Sequence, residues 1–259
     1  MSLNARNQLK RMMTESMKSK GAASTKEDTQ DKEDIVKMGD FVIADYVGRV
    51  KDTGSLFDLT VEEIAKKEKV YHEDEAYGPR LVVVGEGLML KGFEDALTTM
   101  KVGESKTIEL SPEKAFGPRD SSKVKIYPVS AFRKSDVKPY IGARVTIEGK
   151  TGIVQSVGGG RVRVDFNPLL AGKTLVYDIT VRRKVMGETE KLNELIKRRI
   201  KGTDASKFET ERETATLSVT MPKATYLTEG IQLAKTMIAR DILKNINGVN
   251  LVRFIETFD

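Results

Sequence analysis

Apolar residues along this chain change their spacing several times, and each change marks an element. Phe41 to Val47 (FVIADYV), Leu81 to Val84 and Lys106 to Leu110 read as strands. Between the last two, Phe93, Ala96, Leu97 and Met100 recur at i, i+3, i+4 and i+7, which places them on one face of a short amphipathic helix. Gly85-Glu86-Gly87 turns the chain before that helix, and Gly103 is predicted to cap its C-terminus in the left-handed conformation. Ser111-Pro112 and Gly117-Pro118 bracket a turn that carries Phe116. From Leu59 to Arg80 the chain reads as an insertion, in which Thr60 is predicted to cap a short helix through Val61, Ile64 and Ala65.

Ser121 to Asn167 alternates in the manner of strands: Val124 and Ile126, then Arg144 to Ile147, Gly152 to Val154 and Arg161 to Val164. Gly149 and Gly158-Gly159-Gly160 supply the turns, so this interval reads as a small β-module. Thr174 to Arg183 (TLVYDITVRR) is a longer strand. Beyond Met186 come a charged helix with Leu192, Leu195, Ile196 and Arg199 at helical intervals, and a strand, Leu217 to Thr220, that Pro222 ends. A second helix from Tyr226 to Ile246 has its stripe at Ile231, Ala234, Ile238 and Ile242, and Val249 to Phe258 is a last strand. The fold class is α+β, and this last part is an αβαβ module with few residues of its own to enclose a core.

Composition narrows the chemistry. The 259 residues suffice for two or three small domains. There is no cysteine, which excludes disulfides, a thiol nucleophile and Cys-based zinc sites. The single histidine, His72, lies in a polar stretch, and no serine sits in a G-x-S-x-G elbow, so hydrolase and metalloenzyme readings are weak. No run of eighteen apolar residues indicates a transmembrane helix. The net charge of +6 is spread through a mixed sequence. It permits nucleic-acid or ribosome contact without requiring it. Gly149-Lys150-Thr151 and Gly172-Lys173-Thr174 lack the earlier glycine of a phosphate loop, and Leu90 stands where a dinucleotide fingerprint needs its third glycine.

The order of the parts from Val84 to Asp120 resembles the FKBP-type peptidyl-prolyl isomerases. The resemblance is carried by Val84-Gly85, Lys91-Gly92-Phe93, Val102-Gly103-Glu104 and Ser111 to Gly117. Asp45 to Gly48 with Leu56-Phe57-Asp58 upstream, and Thr174 to Asp178 downstream, complete it. The β-module matches in position the insert-in-flap domain of the SlyD-like branch, with Asn167 to Gly172 similar to the exit from that domain. SlyD-like bacterial proteins end in a His- and Cys-rich tail that this chain lacks, so the long archaeal-type members with an extra C-terminal domain are the nearer match.

The resemblance implies an FKBP-like twisted antiparallel sheet wrapped on a short helix, with an inserted small β-domain and the C-terminal αβαβ domain. The implied boundaries are a polar N-terminal tail or helical arm at 1–35, a discontinuous isomerase domain at 36–120 and 167–185, an inserted chaperone domain at 121–166 and a C-terminal domain at 186–259. It places Phe93 at the floor of an apolar pocket, with Tyr46, Phe57 and Phe116 as walls. Asp58 would lie by the rotating carbonyl, Leu90 would offer its backbone N–H, and Tyr177, Val84, Met89, Leu169 and Leu170 would complete the lining. The family often has Trp at the floor and Tyr at the turn, where Phe93 and Phe116 stand here.

The activity implied is prolyl isomerisation without a cofactor or metal. The inserted domain would present Ile126, Tyr127, Val129, Phe132 and Tyr140 to unfolded chains. Expected partners are unfolded or proline-containing polypeptides, with a homodimer through the C-terminal domain and ribosome contact open, no membrane, macrolide binding undecided and a cytoplasmic location. The stripes of the C-terminal helices would dock onto a second copy or onto the isomerase. The alternative reading is an RNA- or ribosome-binding factor, because Gly142 to Phe166 also resembles a KOW-type barrel and carries Arg161 and Arg163.

Overall fold

The structure, a computed structural model, describes residues 35–132, 138–200 and 202–258. The tail or arm expected at 1–35 lies outside them except for Ile35, which bridges to Lys101. In chain order the elements are β1 (Phe41–Val50), β2 (Leu56–Leu59), α1 (Glu62–Lys67), β3 (Arg80–Val83), α2 (Lys91–Leu97) and β4 (Ser105–Leu110). Then follow β5 (Val124–Pro128), β6 (Arg144–Ile147), β7 (Lys150–Gly158), β8 (Arg161–Asp165) and β9 (Leu175–Val185). The last are α3 (Glu188–Arg199), β10 (Glu209–Glu213), β11 (Thr216–Thr220), α4 (Ile231–Asn245) and β12 (Leu251–Ile255).

β1 organises the main sheet. It pairs antiparallel with β9 along its whole length, and β9 pairs on its far side with β4. The other edge of β1 is shared: β3 takes its first half and β2 its second. All of β1 except Arg49 is buried, because both faces of the strand are covered. Its side chains alternate between two cores, as a period of two demands. Val42, Ala44, Tyr46 and Val50 join Phe93, Leu97 and Met100, while Phe41 and Ile43 join Leu195, Ile196, Ile238 and Ile242. The stripes of α3 and α4 therefore dock on the back of the isomerase-like sheet, where Val83 and Val185 extend the same core.

β5–β8 form a separate four-stranded sheet, ordered β5-β8-β7-β6, with its own core of Phe132, Ala143, Val145, Val154, Val162 and Val164. Its two connections to the main sheet are pinned together by polar groups. The Asn167 amide accepts from the Asp120 N–H at 2.9 Å and donates back to its carbonyl at 2.8 Å. Asp165 accepts from Arg119 at 2.6 Å, from Gln155 at 2.9 Å and from Asn167 at 2.7 Å.

Three expectations are corrected. The C-terminal part is αββαβ, not αβαβ, because Glu209–Glu213 (ETERE) forms the edge strand β10 against β11. Its charged, mostly exposed side chains give no alternation to read, and backbone pairing through a turn at Thr214 holds it. Thr60 does not cap α1; its buried hydroxyl donates to Asp45 at 2.8 Å and accepts from the Tyr46 N–H at 2.9 Å. α2 ends at Leu97, and Gly103, with φ 83°, turns the chain into β4 instead.

Candidate functional site

One of the two cores of the main sheet carries a connected set of aromatic rings, of which Phe93, Tyr46 and Tyr177 are buried and Phe57 is half-buried. Tyr46 meets Phe93 at 5.4 Å between centroids, Phe93 meets Tyr177 at 5.1 Å and Tyr177 meets Phe57 at 5.4 Å, all edge to face. These four residues come from α2 and from three adjacent strands, β2, β1 and β9. Tyr177 stands directly across from Gly48 in the ladder. A Cβ at Gly48 would come within 2.7 Å of the Phe57 ring and 2.9 Å of the Tyr177 ring, so only glycine lets the two rings close over the strand. At Gly92 a Cβ would meet Leu110 at 2.5 Å, which fixes how closely the start of α2 approaches the end of β4.

Polar groups hold the rim. Arg80 donates to the Tyr46 hydroxyl at 3.2 Å and approaches the Asp58 carboxylate at 3.6 Å. Tyr46 and Asp58 share Arg80 as a neighbour, and each influences the other's titration. Burial pushes the Tyr46 hydroxyl up to about 12, helped by the Asp58 charge. Burial also raises Asp58 above the usual carboxylate range, opposed by Arg80 and by the Tyr46 hydrogen bond. Burial, then the Asp58 charge, keeps Tyr177 protonated well above its ordinary range. Among the described residues the Tyr177 hydroxyl has no hydrogen-bond partner. Behind the rim, Asp45 is buried and accepts from Thr60 at 2.8 Å and from Arg182 at 2.6 Å, which locks the corner where Tyr46 and β2 meet.

Leu90 precedes α2, and its carbonyl accepts from Phe93 and Glu94 at 2.9 and 3.1 Å. Its own N–H donates to no group among the described residues. The loop before it is gripped by Glu94, whose buried carboxylate accepts from the N–H groups of Gly85, Gly87 and Met89 at 2.9, 3.0 and 3.2 Å. Gly85 and Gly87 adopt φ of 89° and 77°, which turns those donors inward. Met89, Leu90 and Leu170 pack on the aromatic core, and Val84 lies within it.

Other expected residues are more exposed than this ring set. Phe116 is 41% exposed on the turn after β4 and meets no other ring among the described residues. Leu169 is 71% exposed and lines a separate hollow with Arg119, Asp165 and Lys173; Leu170 turns inward in its place. In the inserted sheet Ile126, Val129 and Tyr140 are exposed, but Phe132 is 5% exposed and Tyr127 packs beside it. Tyr127 is half-buried and meets the rings of Phe132 and Phe166 edge to face, so both rings help close that small core.

Sequence reading missed Arg80, Glu94, Gly48 and the Asp45–Thr60 pair. An acid one turn into a helix that follows a Gly-x-Gly turn was a readable signal for Glu94. The others depend on pairing across strands. Among the described residues no cluster of His, Cys, Asp and Glu could hold a metal ion, and no helix is long and apolar enough to cross a membrane.

Known proteins resemble this chain over all these parts. Residues 125–170 match the family model described as FKBP26, IF domain, and residues 188–259 match FKBP26_C-terminal. A short-type peptidyl-prolyl cis-trans isomerase of Methanocaldococcus jannaschii is 36% identical over 156 residues, covering 60% of this chain and 98% of the relative. A protein of Pseudomonas fluorescens named as a probable FKBP-type 16 kDa peptidyl-prolyl cis-trans isomerase is 36% identical over 148 residues, covering 56% of this chain and 96% of its own. The FKBP-type isomerase SlyD of Helicobacter pylori is 28% identical over 115 residues, 43% of this chain and 60% of that one. With nearly the whole of two such relatives spanned, this chain belongs to the FKBP-type peptidyl-prolyl cis-trans isomerases and is an enzyme of that kind, extended by a C-terminal region.

Proposed function

We propose that the X–Pro bond turns over the aromatic set of Phe93, Tyr46, Phe57 and Tyr177, and that the inserted sheet delivers unfinished polypeptides to it. The barrier to rotation is amide resonance, about 18–20 kcal/mol, and no bond to proline has to break. What lowers it is a surface that excludes water from the planar, charge-separated amide and grips the prolyl ring while the carbonyl swings. A gain of about 10⁵ in rate requires about 7 kcal/mol of stabilisation specific to the twisted state. The observation that carries this reading is the convergence of four rings from separate elements beside a carboxylate and two hydroxyls.

In this reading the Leu90 N–H receives a substrate carbonyl and Asp58 faces the carbonyl that rotates. Phe116 has no hydroxyl to offer, and the unpartnered hydroxyl of Tyr177 takes over as donor; its raised pKa keeps the proton in place. Val84, Met89 and Leu170 support the ring set from behind. Ile126, Val129 and Tyr140, exposed on the inserted sheet, form the surface for unfolded chains, joined by Ile141 and Val157, which are also exposed.

Turnover of a short X–Pro peptide tests the pocket. Phe93→Leu and Asp58→Ala should each lower kcat/KM by about tenfold or more with the fold retained. Unchanged turnover in both would put the pocket elsewhere. Replacing Ile126, Val129 and Tyr140 together by serine should leave that turnover intact while slowing proline-limited refolding of a protein substrate. Equal loss in both assays would remove the division of labour.

A further inference from the structure

Glu86 is an acid placed where a surface loop should carry one, yet its side chain is only 2% exposed. It lies between Gly85 and Gly87, whose N–H groups Glu94 holds from the pocket side. The Glu86 side chain turns the opposite way, toward the C-terminal module. Arg198 of α3 donates to its two carboxylate oxygens at 2.6 and 3.0 Å, and Asn245 at the end of α4 donates at 2.9 Å. The neighbouring Lys244 donates to the Glu86 carbonyl at 2.7 Å. Arg198 is braced in turn by Asp241 at 2.8 Å, which also takes Arg199.

The loop is packed at its two ends, by Val84 and by Met89 and Leu90, and is more open between them. Leu88 and Met89 border a hollow of about 180 Å³ that reaches from Tyr46 to Arg198, so the loop has open space at its back. Water can enter a hollow of that size, so on that side packed side chains hold the loop less than its polar bonds do. Two carboxylates from opposite sides supply them here.

We propose that Glu86 is a positioning residue through which the C-terminal module sets the isomerase pocket: α3 and α4 hold Glu86, Glu86 holds the loop, and the loop presents the Leu90 N–H and the start of the Phe93 helix. The proposal rests on the pocket assignment above. It makes the C-terminal region a working part of the isomerase site.

The test uses the full chain, a chromogenic X–Pro tetrapeptide and amide hydrogen exchange by NMR. Glu86→Ala should lower kcat/KM by about ten- to a hundredfold, because displacing a donor by about an ångström costs that much. The loss should fall mainly on KM, since the Leu90 donor grips substrate in both ground and transition states. Exchange should speed up at Gly85, Gly87 and Met89 and not across the main sheet. Lys244→Ala, a change at an exposed position, should move both readouts the same way by a smaller factor. Arg183→Ala breaks another link between β9 and α3, to Glu190 and Glu194, and should lower the melting temperature with turnover unchanged.

A folded Glu86→Ala with wild-type kcat/KM would overturn the proposal, as would an equal loss of turnover in Arg183→Ala. Should Glu86→Ala not fold, unchanged exchange and turnover in Lys244→Ala would overturn it as well. If Phe93→Leu and Asp58→Ala retain full turnover, the pocket assignment fails, which is a separate outcome.

Discussion

Residues 124–165 and residues 188–255 each add a separate sheet to the isomerase fold, yet the first brings its own core and the second shares one. The inserted sheet closes over Phe132, Val145, Val154, Val162 and Val164, and none of these belongs to a cluster of the main sheet. Its attachment is polar, through Asp120, Asn167, Arg119 and Asp165. The C-terminal helices bury Leu195, Ile196, Ile238 and Ile242 against Phe41, Ile43, Val83 and Val185, which makes them one half of a two-sided fold. A module with its own core can change without disturbing the sheet; one that shares a core cannot be altered without the sheet responding.

The largest test of that contrast is removal. Ending the chain after Val185 should leave Phe41, Ile43 and Val83 bare and yield an aggregating or unfolded product by circular dichroism and size-exclusion chromatography. Excising Ser121 to Pro168 with a short linker should instead give a folded protein that still turns over tetrapeptides and no longer accelerates proline-limited refolding. Single cavities should follow the same pattern. Ile196→Ala should cost the whole protein about 2–5 kcal/mol in a denaturant titration followed at the main sheet. Val162→Ala should weaken the inserted sheet and leave that transition in place.

Acid provides a gentler probe. Burial would raise Asp241, but Arg199 and Arg198 overcome it and hold the carboxyl below its ordinary value of 3.8. A depressed folded pKa contributes stability above the unfolded value, and that stability is lost as pH falls through the folded one. Thermal stability of the full chain should therefore decline below about pH 4, and Asp241→Asn should flatten part of that decline. Asn167→Ala should have the smallest effect, about 1 kcal/mol for the exposed clamp at the base of the inserted sheet, with peptide turnover unchanged.

Elements whose side chains alternate or recur at helical spacing were legible. Strands β1, β3 and β9 and the helix stripes at Phe93, Leu97 and Met100 and at Ile238 and Ile242 could be read from the residues alone. β10 was hidden because ETERE owes its place to backbone pairing at an edge and not to burial. The aromatic rings of the site could be named in advance, and their mutual approach was a matter of register: Tyr177 reaches Phe57 because it stands opposite Gly48. Arg80 was read only as the end of an insertion, since nothing local shows that its strand neighbour is Ala44 and its ion partner Asp58. Leu169 and Phe116 are exposed while their neighbours Leu170 and Ala115 pack on the core, a choice between adjacent turn positions that local pattern does not reveal.

The alternation along β1 makes that strand a partition wall. Its odd residues Phe41 and Ile43 meet the C-terminal helices, and its even residues Val42, Ala44 and Tyr46 meet the aromatic rings. At the end of that wall lies the loop that both sides hold at once, Glu94 gripping its N–H groups and Arg198 its Glu86 carboxylate.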